Sequence, residues 1–287
     1  MPVQLTGKLL RLARLSRRAD DRFLIVPLDH TITDGPIGTA AGFGRLVGDI
    51  AAGGADAIVV HKGRARTLPA AVLADCGLII HLSASTAHGP DSDAKVVVGT
   101  VADAVRLGAD AVSVHVNIGS ATESRQLADA GAVADECERW GVPLLAMMYP
   151  RGPRISSQFD PDLLAHVATV AADLGADLVK LPLAAPVEAM ADVVAASPLP
   201  VVVAGGVLAE LSGAELATTA LAAGCHGLAV GRRVFTSASP RQTVREIAAV
   251  IHGGDPDSST VDSVALELPV PKGNNPRIDD DRMVGAR

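Results

Sequence analysis

Short runs of β-branched and aliphatic residues alternate along the chain with longer Ala-rich stretches of helical spacing, and one phrase joins them again and again. A helical segment closes on Gly-Ala-Asp or a relative, and a run apolar at every position follows at once. The phrase occurs as Ala51-Ala-Gly-Gly-Ala-Asp56 before Ala57-Ile-Val-Val60, as Arg106-Leu-Gly-Ala-Asp110 before Ala111-Val-Ser-Val114, and as Ala172-Asp-Leu-Gly-Ala-Asp177 before Leu178-Val-Lys180. A fourth version, Ala222-Ala-Gly-Cys-His226, precedes Gly227-Leu-Ala-Val230. Glycine supplies the left-handed residue that ends a helix, and a strand apolar on both faces belongs in a covered parallel sheet. The pattern is a βα repeat. Adding Phe23–Leu28, Gly77–Ile80, Val142–Met148 and Pro200–Val203 gives about eight strands, the number that closes a TIM-type (β/α)8 barrel. An open doubly wound sheet would show a Gly-rich phosphate fingerprint after its first strand, and Pro27-Leu-Asp-His-Thr-Ile-Thr33 is not one. Lys95-Val-Val-Val98 is an additional apolar run, assigned to a βα connection, with a true strand as the other reading.

The expected organisation is one α/β domain: a basic amphipathic helix over residues 1–22, a barrel over 23–254, and a disordered tail over 255–287. The opening stretch, with Lys8, Arg11, Arg14, Arg17 and Arg18 among leucines, resembles an organelle transit peptide in composition. A helix covering one end of the fold explains the same pattern. Of the 287 residues 48% are hydrophobic and only 2% aromatic, so the core must be built from Ala, Val, Leu, Ile and close-packed Gly. A net charge of −7 argues against general affinity for nucleic acid or anionic membrane, and no run reaches the roughly 18 apolar residues of a membrane span. Cys76, Cys137 and Cys225 lie far apart with no CxxC, which fits reduced packing thiols in a cytoplasmic protein.

In a parallel barrel the working face is the one where strands end. Polar residues gather there: Asp29-His30, His61-Lys62, His81, His115 with Asn117, Tyr149 with Arg151, Lys180, Gly205-Gly206 and Gly231-Arg232. Lysine inside an apolar strand loses hydration, which penalises the ammonium form, and a lysine that forms a Schiff base needs such surroundings. In a structural role Lys180 would instead snorkel or pair with a carboxylate. Tyr149, the chain's only tyrosine, is either a positioned proton donor or packing; Asp29 is either a proton carrier or a cap or ion-pair partner. Gly205-Gly206 beside Gly231-Arg232 suits phosphate binding at the last two strand ends. His30, His61, His81 and His115 offer a rival reading around a divalent metal, as in a hydrolase or class II aldolase, although no HxH or HExxH spacing occurs. A phosphometabolite-binding protein without turnover is the rival outside catalysis.

The segments Phe23–Gly35, His61-Lys-Gly, His81-Leu-Ser, Gly108–Asn117, Ala146-Met-Met-Tyr-Pro-Arg-Gly152, Val179-Lys180, Val203-Ala-Gly-Gly206 and Val230-Gly-Arg232 together resemble the archaeal-type class I aldolases, the DeoC/FbaB-like group. Within it they look most like enzymes that condense L-aspartate 4-semialdehyde with a keto-sugar phosphate. These are the 2-amino-3,7-dideoxy-D-threo-hept-6-ulosonate synthases and their aminohydroxybenzoate-pathway relatives, which use dihydroxyacetone phosphate. The resemblance runs from the basic helix to His252. It implies a Schiff base on Lys180, proton donation by Tyr149 and proton acceptance by Asp29. It further implies substrate contacts from His30, Thr31, Ile32, Thr33, Pro150, Arg151, Gly205, Gly206, Gly231 and Arg232, no cofactor or metal, and a homo-oligomer such as a ring. The departure is Leu181-Pro-Leu-Ala-Ala-Pro186, where the heptulosonate synthases carry a polar residue after the lysine. The departure leaves the donor sugar open: dihydroxyacetone phosphate is the expected donor, a deoxy-ketohexose phosphate the alternative, and fructose-bisphosphate cleavage stands behind both.

Overall fold

The computed structural model describes residues 6–16, 18, 20–206 and 211–254. Eight parallel strands close into a barrel: β1 (Phe23–Pro27), β2 (Ala57–Val60), β3 (Gly77–His81), β6 (Ala111–Ile118), β7 (Leu144–Pro150), β8 (Leu178–Leu181), β9 (Val201–Ala204) and β10 (Gly227–Ala229), with β1 pairing both β2 and β10. The TIM-type barrel expected from the repeat is therefore the fold. The Lys95–Val98 run satisfies both of its readings. Val96–Val97 forms a short strand, β5, antiparallel to β4 (Ser83–Ala84), and the pair makes a ribbon inside the β3-to-β6 connection, outside the barrel sheet. The C-terminal tail lies outside the described residues.

Each repeat ends as its composition requires. Gly54, Gly108, Gly175 and Gly224 all take positive φ, between 78° and 96°, where a side chain would be strained. The aspartate that follows joins neighbouring strands at the barrel's lower rim. Asp56 Oδ2 accepts from the Leu24 N–H (2.7 Å), Asp110 Oδ2 from Leu78 (3.0 Å) and Asp177 Oδ2 from Leu144 (2.8 Å). The fourth repeat has His226 at this place, and its Nδ1 accepts from Val201 N–H at 3.3 Å.

Strand alternation divides the core in two. Leu24, Val26, Val60, Leu78, Val112, Val179 and Val203 face outward onto the helices. Ile25, Val59, Ile79, Leu145, Met147, Leu178, Val202 and Ala229 fill the interior. Leu15, the last residue of α1 (Thr6–Leu15), is buried in that interior cluster with Leu12 packed beside it, so the amphipathic helix covers one end of the barrel. At the other end the inward positions turn polar. Asp29, His61, His81, His115, Tyr149 and Lys180 share the inward parity of the interior residues and continue it upward, which is why they meet.

Candidate active site

Lys180 is the third residue of β8 and is 7% exposed. It forms no ion pair or hydrogen bond among the described residues. Its register partner on β7 is Met147, so Tyr149 stands one inward step nearer the mouth on the adjacent strand. The phenol ring has two close partners: the His115 ring stacks on it with centroids 4.9 Å apart, and the Arg151 guanidinium lies over it 4.5 Å from its centroid. His115 is itself fixed by Asn117, whose Oδ1 is 2.8 Å from Nε2.

Asp29 opens a 310 turn, Asp29–Ile32, directly beyond β1. His81 Nε2 is 3.8 Å from one of its carboxylate oxygens and His30 Nδ1 is 3.7 Å from the other. His81 is oriented from behind by Ser113, with Nδ1 and Oγ 2.8 Å apart. Burial works to raise the Asp29 carboxyl, but His81, His30, Lys180 and His61 together outweigh it and hold the group below the ordinary carboxylate range. Burial holds the four imidazoles low, His81 at about 4 and His115 well below the usual value, with His30 and His61 also reduced. At neutral pH the mouth therefore carries an ionised carboxylate among uncharged rings. Three buried polar atoms there, Asp29 Oδ1, His30 Nδ1 and His61 Nε2, have no hydrogen-bond partner among the described residues. Groups of that kind wait for a ligand or water.

A cavity of about 190 Å³ joins these groups, lined by His30, Tyr149, Arg151, Lys180, Gly205, Gly206, Gly231 and Arg232 from the expected set. Gln158, Phe159, Pro182, Ala204 and Ala229 complete the lining, none of them anticipated. Gln158 and Phe159 come from the loop after β7, which carries no motif. Pro182 falls in the Leu181–Pro186 departure. Asp29 stands next to His30 but does not itself line the cavity, and neither do Thr31, Ile32, Thr33 and Pro150. Ile32 is 38% exposed, and the Thr33 hydroxyl donates to the Ser85 carbonyl at 3.0 Å.

The two arginines after β10 divide their work. Arg232 faces the cavity, close enough to Gly206 that a Cβ there would sit 3.1 Å from its Nη2. Arg233 turns away and braces the loop, donating from Nε to the Gly205 carbonyl at 3.0 Å and from Nη1 to the Leu211 carbonyl. Gly231 is demanded by close approach, since a Cβ would lie 2.3 Å from the Pro27 carbonyl oxygen and 2.9 Å from His30.

Among the described residues no three His, Cys, Asp or Glu side chains converge to hold a metal ion. The strand-end histidines are engaged with Ser113, Asn117, Asp29 and one another, His61 meeting His81 edge-on at 5.3 Å. Cys76, Cys137 and Cys225 are buried, and burial pushes the latter two thiols up to about 12. No helix among the described residues is long and apolar enough to cross a membrane.

Residues 23–237 match the family model described as DeoC/LacD family aldolase. The chain belongs to this family. It is a class I aldolase-type enzyme, as the residue resemblance implied. It is 51% identical over 245 residues, 85% of this chain and 89% of the other, to the 2-amino-4,5-dihydroxy-6-oxo-7-(phosphonooxy)heptanoate synthase of Streptomyces griseus. Against the 2-amino-3,7-dideoxy-D-threo-hept-6-ulosonate synthase 1 of Archaeoglobus fulgidus identity is 42%, over 86% and 92% of the two chains. An archaeal fructose 1,6-bisphosphate aldolase superposes with a TM-score of 0.77 at 25% identity, covering 86% of this chain and all of that one. A Schiff-base-forming fructose-1,6-bisphosphate aldolase gives 0.75 at 25%, over 85% and 99%.

Proposed function

We propose that this aldolase joins dihydroxyacetone phosphate to L-aspartate 4-semialdehyde. The observation that carries the reading is Lys180: an amine inside the barrel, lining the cavity, without an ion pair among the described residues, one inward step below Tyr149 on the neighbouring strand. The Lys180 amine adds to the donor ketone, and loss of water gives an iminium ion. The cation draws electrons from the adjacent hydroxymethyl carbon, whose proton passes to the ionised Asp29. The resulting enamine attacks the aldehyde carbon, Tyr149 protonates the new alkoxide, and water releases the product and the lysine. A three-carbon ketone and a four-carbon aldehyde give a seven-carbon chain with the amine at C2, hydroxyls at C4 and C5, the ketone at C6 and the phosphate at C7. That is the compound for which the Streptomyces griseus relative is named.

Arg232 and the backbone of Gly205, Gly206 and Gly231 receive the donor phosphate, with Arg233 holding the loop in register. No metal is required, because the iminium supplies the polarisation that a zinc ion would otherwise give. Activity is expected to survive exhaustive chelation; loss of turnover restored by a divalent ion would transfer the chemistry to the histidines.

Borohydride reduction in the presence of dihydroxyacetone phosphate is expected to add the donor's mass to Lys180 in the wild type and nothing in Lys180→Ala. An adduct on another residue, or none, overturns the reading. Product masses from parallel incubations of aspartate semialdehyde with dihydroxyacetone phosphate or a deoxy-ketohexose phosphate identify the donor, and cleavage of fructose 1,6-bisphosphate tests the remaining alternative.

A further inference from the structure

On the β8-to-β10 side of the mouth the inward positions stay apolar one step above the lysine. Register places Met147 of β7 and Val202 of β9 beside Lys180, and Ala204 of β9 beside Ala229 of β10. Alternate residues of a strand share a face, so the same register carried one inward step upward aligns Tyr149, Pro182, Ala204 and Ala229 in a row. The residues between the two levels, Leu181, Val203 and Leu228, pack outward onto the helices, as this parity requires. All four members of the row line the cavity.

Of the four, only Tyr149 carries a hydrogen-bonding side chain, and it stands at the β7 end. Toward β10 the row consists of a pyrrolidine ring and two methyl groups, and Pro182 lacks even a backbone N–H. The loops that receive the donor phosphate begin directly above: Gly205 follows Ala204, and Gly231 stands two residues beyond Ala229. A donor held at Lys180 by its ketone and at those loops by its phosphate must lay the atoms between the two against this apolar shelf. Dihydroxyacetone phosphate has only a methylene and the ester oxygen there. A hydroxyl in that stretch would lose hydration without gaining a partner, and an apolar wall rejects such a group by about ten- to a hundredfold.

We propose that Pro182, Ala204 and Ala229 determine donor specificity, admitting a keto-phosphate whose link between ketone and phosphate is free of hydroxyls and discriminating against a donor that carries one there. The inference rests on the aldolase reading above and gives the selection of its donor to three residues that take no part in the bond-making steps.

The test uses two donor phosphonates of equal length, 4-hydroxy-3-oxobutylphosphonate and either enantiomer of 2,4-dihydroxy-3-oxobutylphosphonate, which differ by one hydroxyl between ketone and phosphonate. Deuterium exchange at the hydroxymethyl carbon, followed by NMR, reports imine formation and proton removal without an acceptor aldehyde. In the wild type kcat/KM for exchange is expected to be about ten- to a hundredfold higher for the first compound. Ala204→Ser, which puts a hydroxyl on the shelf, should narrow that ratio severalfold, whereas Ala204→Cys, of similar shape, should keep most of it. The ratio cancels any general loss of activity, and Pro182→Ser carries the same comparison if Ala204→Ser does not fold. A wild-type ratio near one, a ratio that the serine variant leaves unchanged, or no exchange of the first compound while dihydroxyacetone phosphate is still trapped overturns the assignment. Failure of the underlying reading shows separately, as absence of a borohydride-trapped dihydroxyacetone phosphate on wild-type Lys180, and would remove the shelf's role with it.

Discussion

Tyr149 offers the sharpest test at the scale of single residues, because its ring and its hydroxyl have separable duties. The ring is stacked on His115 and covered by Arg151, and phenylalanine keeps both contacts. Tyr149→Phe should therefore fold with an unchanged Tm and a nearly unchanged donor KM while kcat falls roughly 10²- to 10⁴-fold, as expected when a positioned proton donor is lost. Steady-state kinetics beside thermal melts check this, and a near-normal kcat would release the tyrosine from the mechanism. His81 gives a pH prediction. Its folded pKa of about 4 lies below that of the unfolded side chain. Between pH 6.5 and 4 the unfolded chain binds a proton that the folded one refuses, so stability must fall as pH drops through that window. By pH 5 the loss amounts to about 2 kcal/mol. Asp29, held below the ordinary range, loses its contribution only below its unfolded value of 3.8 and stays out of the window. Urea unfolding at pH 7 and pH 5 should show His81→Gln losing about 2 kcal/mol less than the wild type; equal losses would count against a neutral buried ring. Lys180, Tyr149 and Asp29 were legible in the sequence because a polar residue at the end of an apolar run is conspicuous. Gln158 and Phe159 were not, since nothing local marks a loop residue that tertiary folding carries to the cavity.

At the scale of elements, the βα repeat was readable because helix-ending glycines and doubly covered strands each impose a residue type. What the repeat's aspartate does was hidden, because its partner lies on a neighbouring strand 32 or 33 residues earlier. Asp110 is the clean case. It accepts from Leu78 N–H and pairs with Arg14, whose side chain is 72% exposed and contributes little. Asp110→Ala should then cost about 1–3 kcal/mol, the penalty of leaving a buried backbone N–H unpaired. Asp110→Asn, whose side-chain oxygen still accepts, should cost much less. Chemical denaturation of the two variants decides it: equal losses would mean that the ion pair with Arg14, not the strand N–H, is what the carboxylate serves. For the β4–β5 ribbon, pattern reading left a connection and a true strand both open at Lys95–Val98 and showed nothing of β4. A two-residue strand has too short a period to announce itself, and β4 is held by a contact distant in sequence, Ser83 Oγ accepting from His115 N–H of β6 at 3.0 Å.

For the molecule as a whole, the barrel's two ends are built for different tasks, and the lower end shows how the chain is closed. Leu15 plugs the interior from below, and α10 (Pro240–His252) is tied across the same end by its last residue. His252 is 2% exposed in its side chain, with Nδ1 2.6 Å from Asp20 and Nε2 3.1 Å from Asp56. Asp56, buried at 1%, also accepts from the N–H of Leu24, the second residue of β1. One imidazole thus joins the first strand, the segment before it and the last helix across 232 and 196 residues of chain, a link that no local pattern can reveal. His252→Ala leaves a buried carboxylate short of a partner and should lower stability by about 3 kcal/mol. Because the reacting groups all sit at the opposite end, the folded fraction of this variant should keep its kcat/KM, in contrast to Tyr149→Phe, which should keep its Tm and lose its turnover. Unfolding curves and initial rates measured on both variants test the division directly. A His252→Ala enzyme with wild-type stability would mean that the closed sheet needs no such tie, whereas one with altered kcat/KM would mean that strain at the lower rim travels along β1 to Asp29.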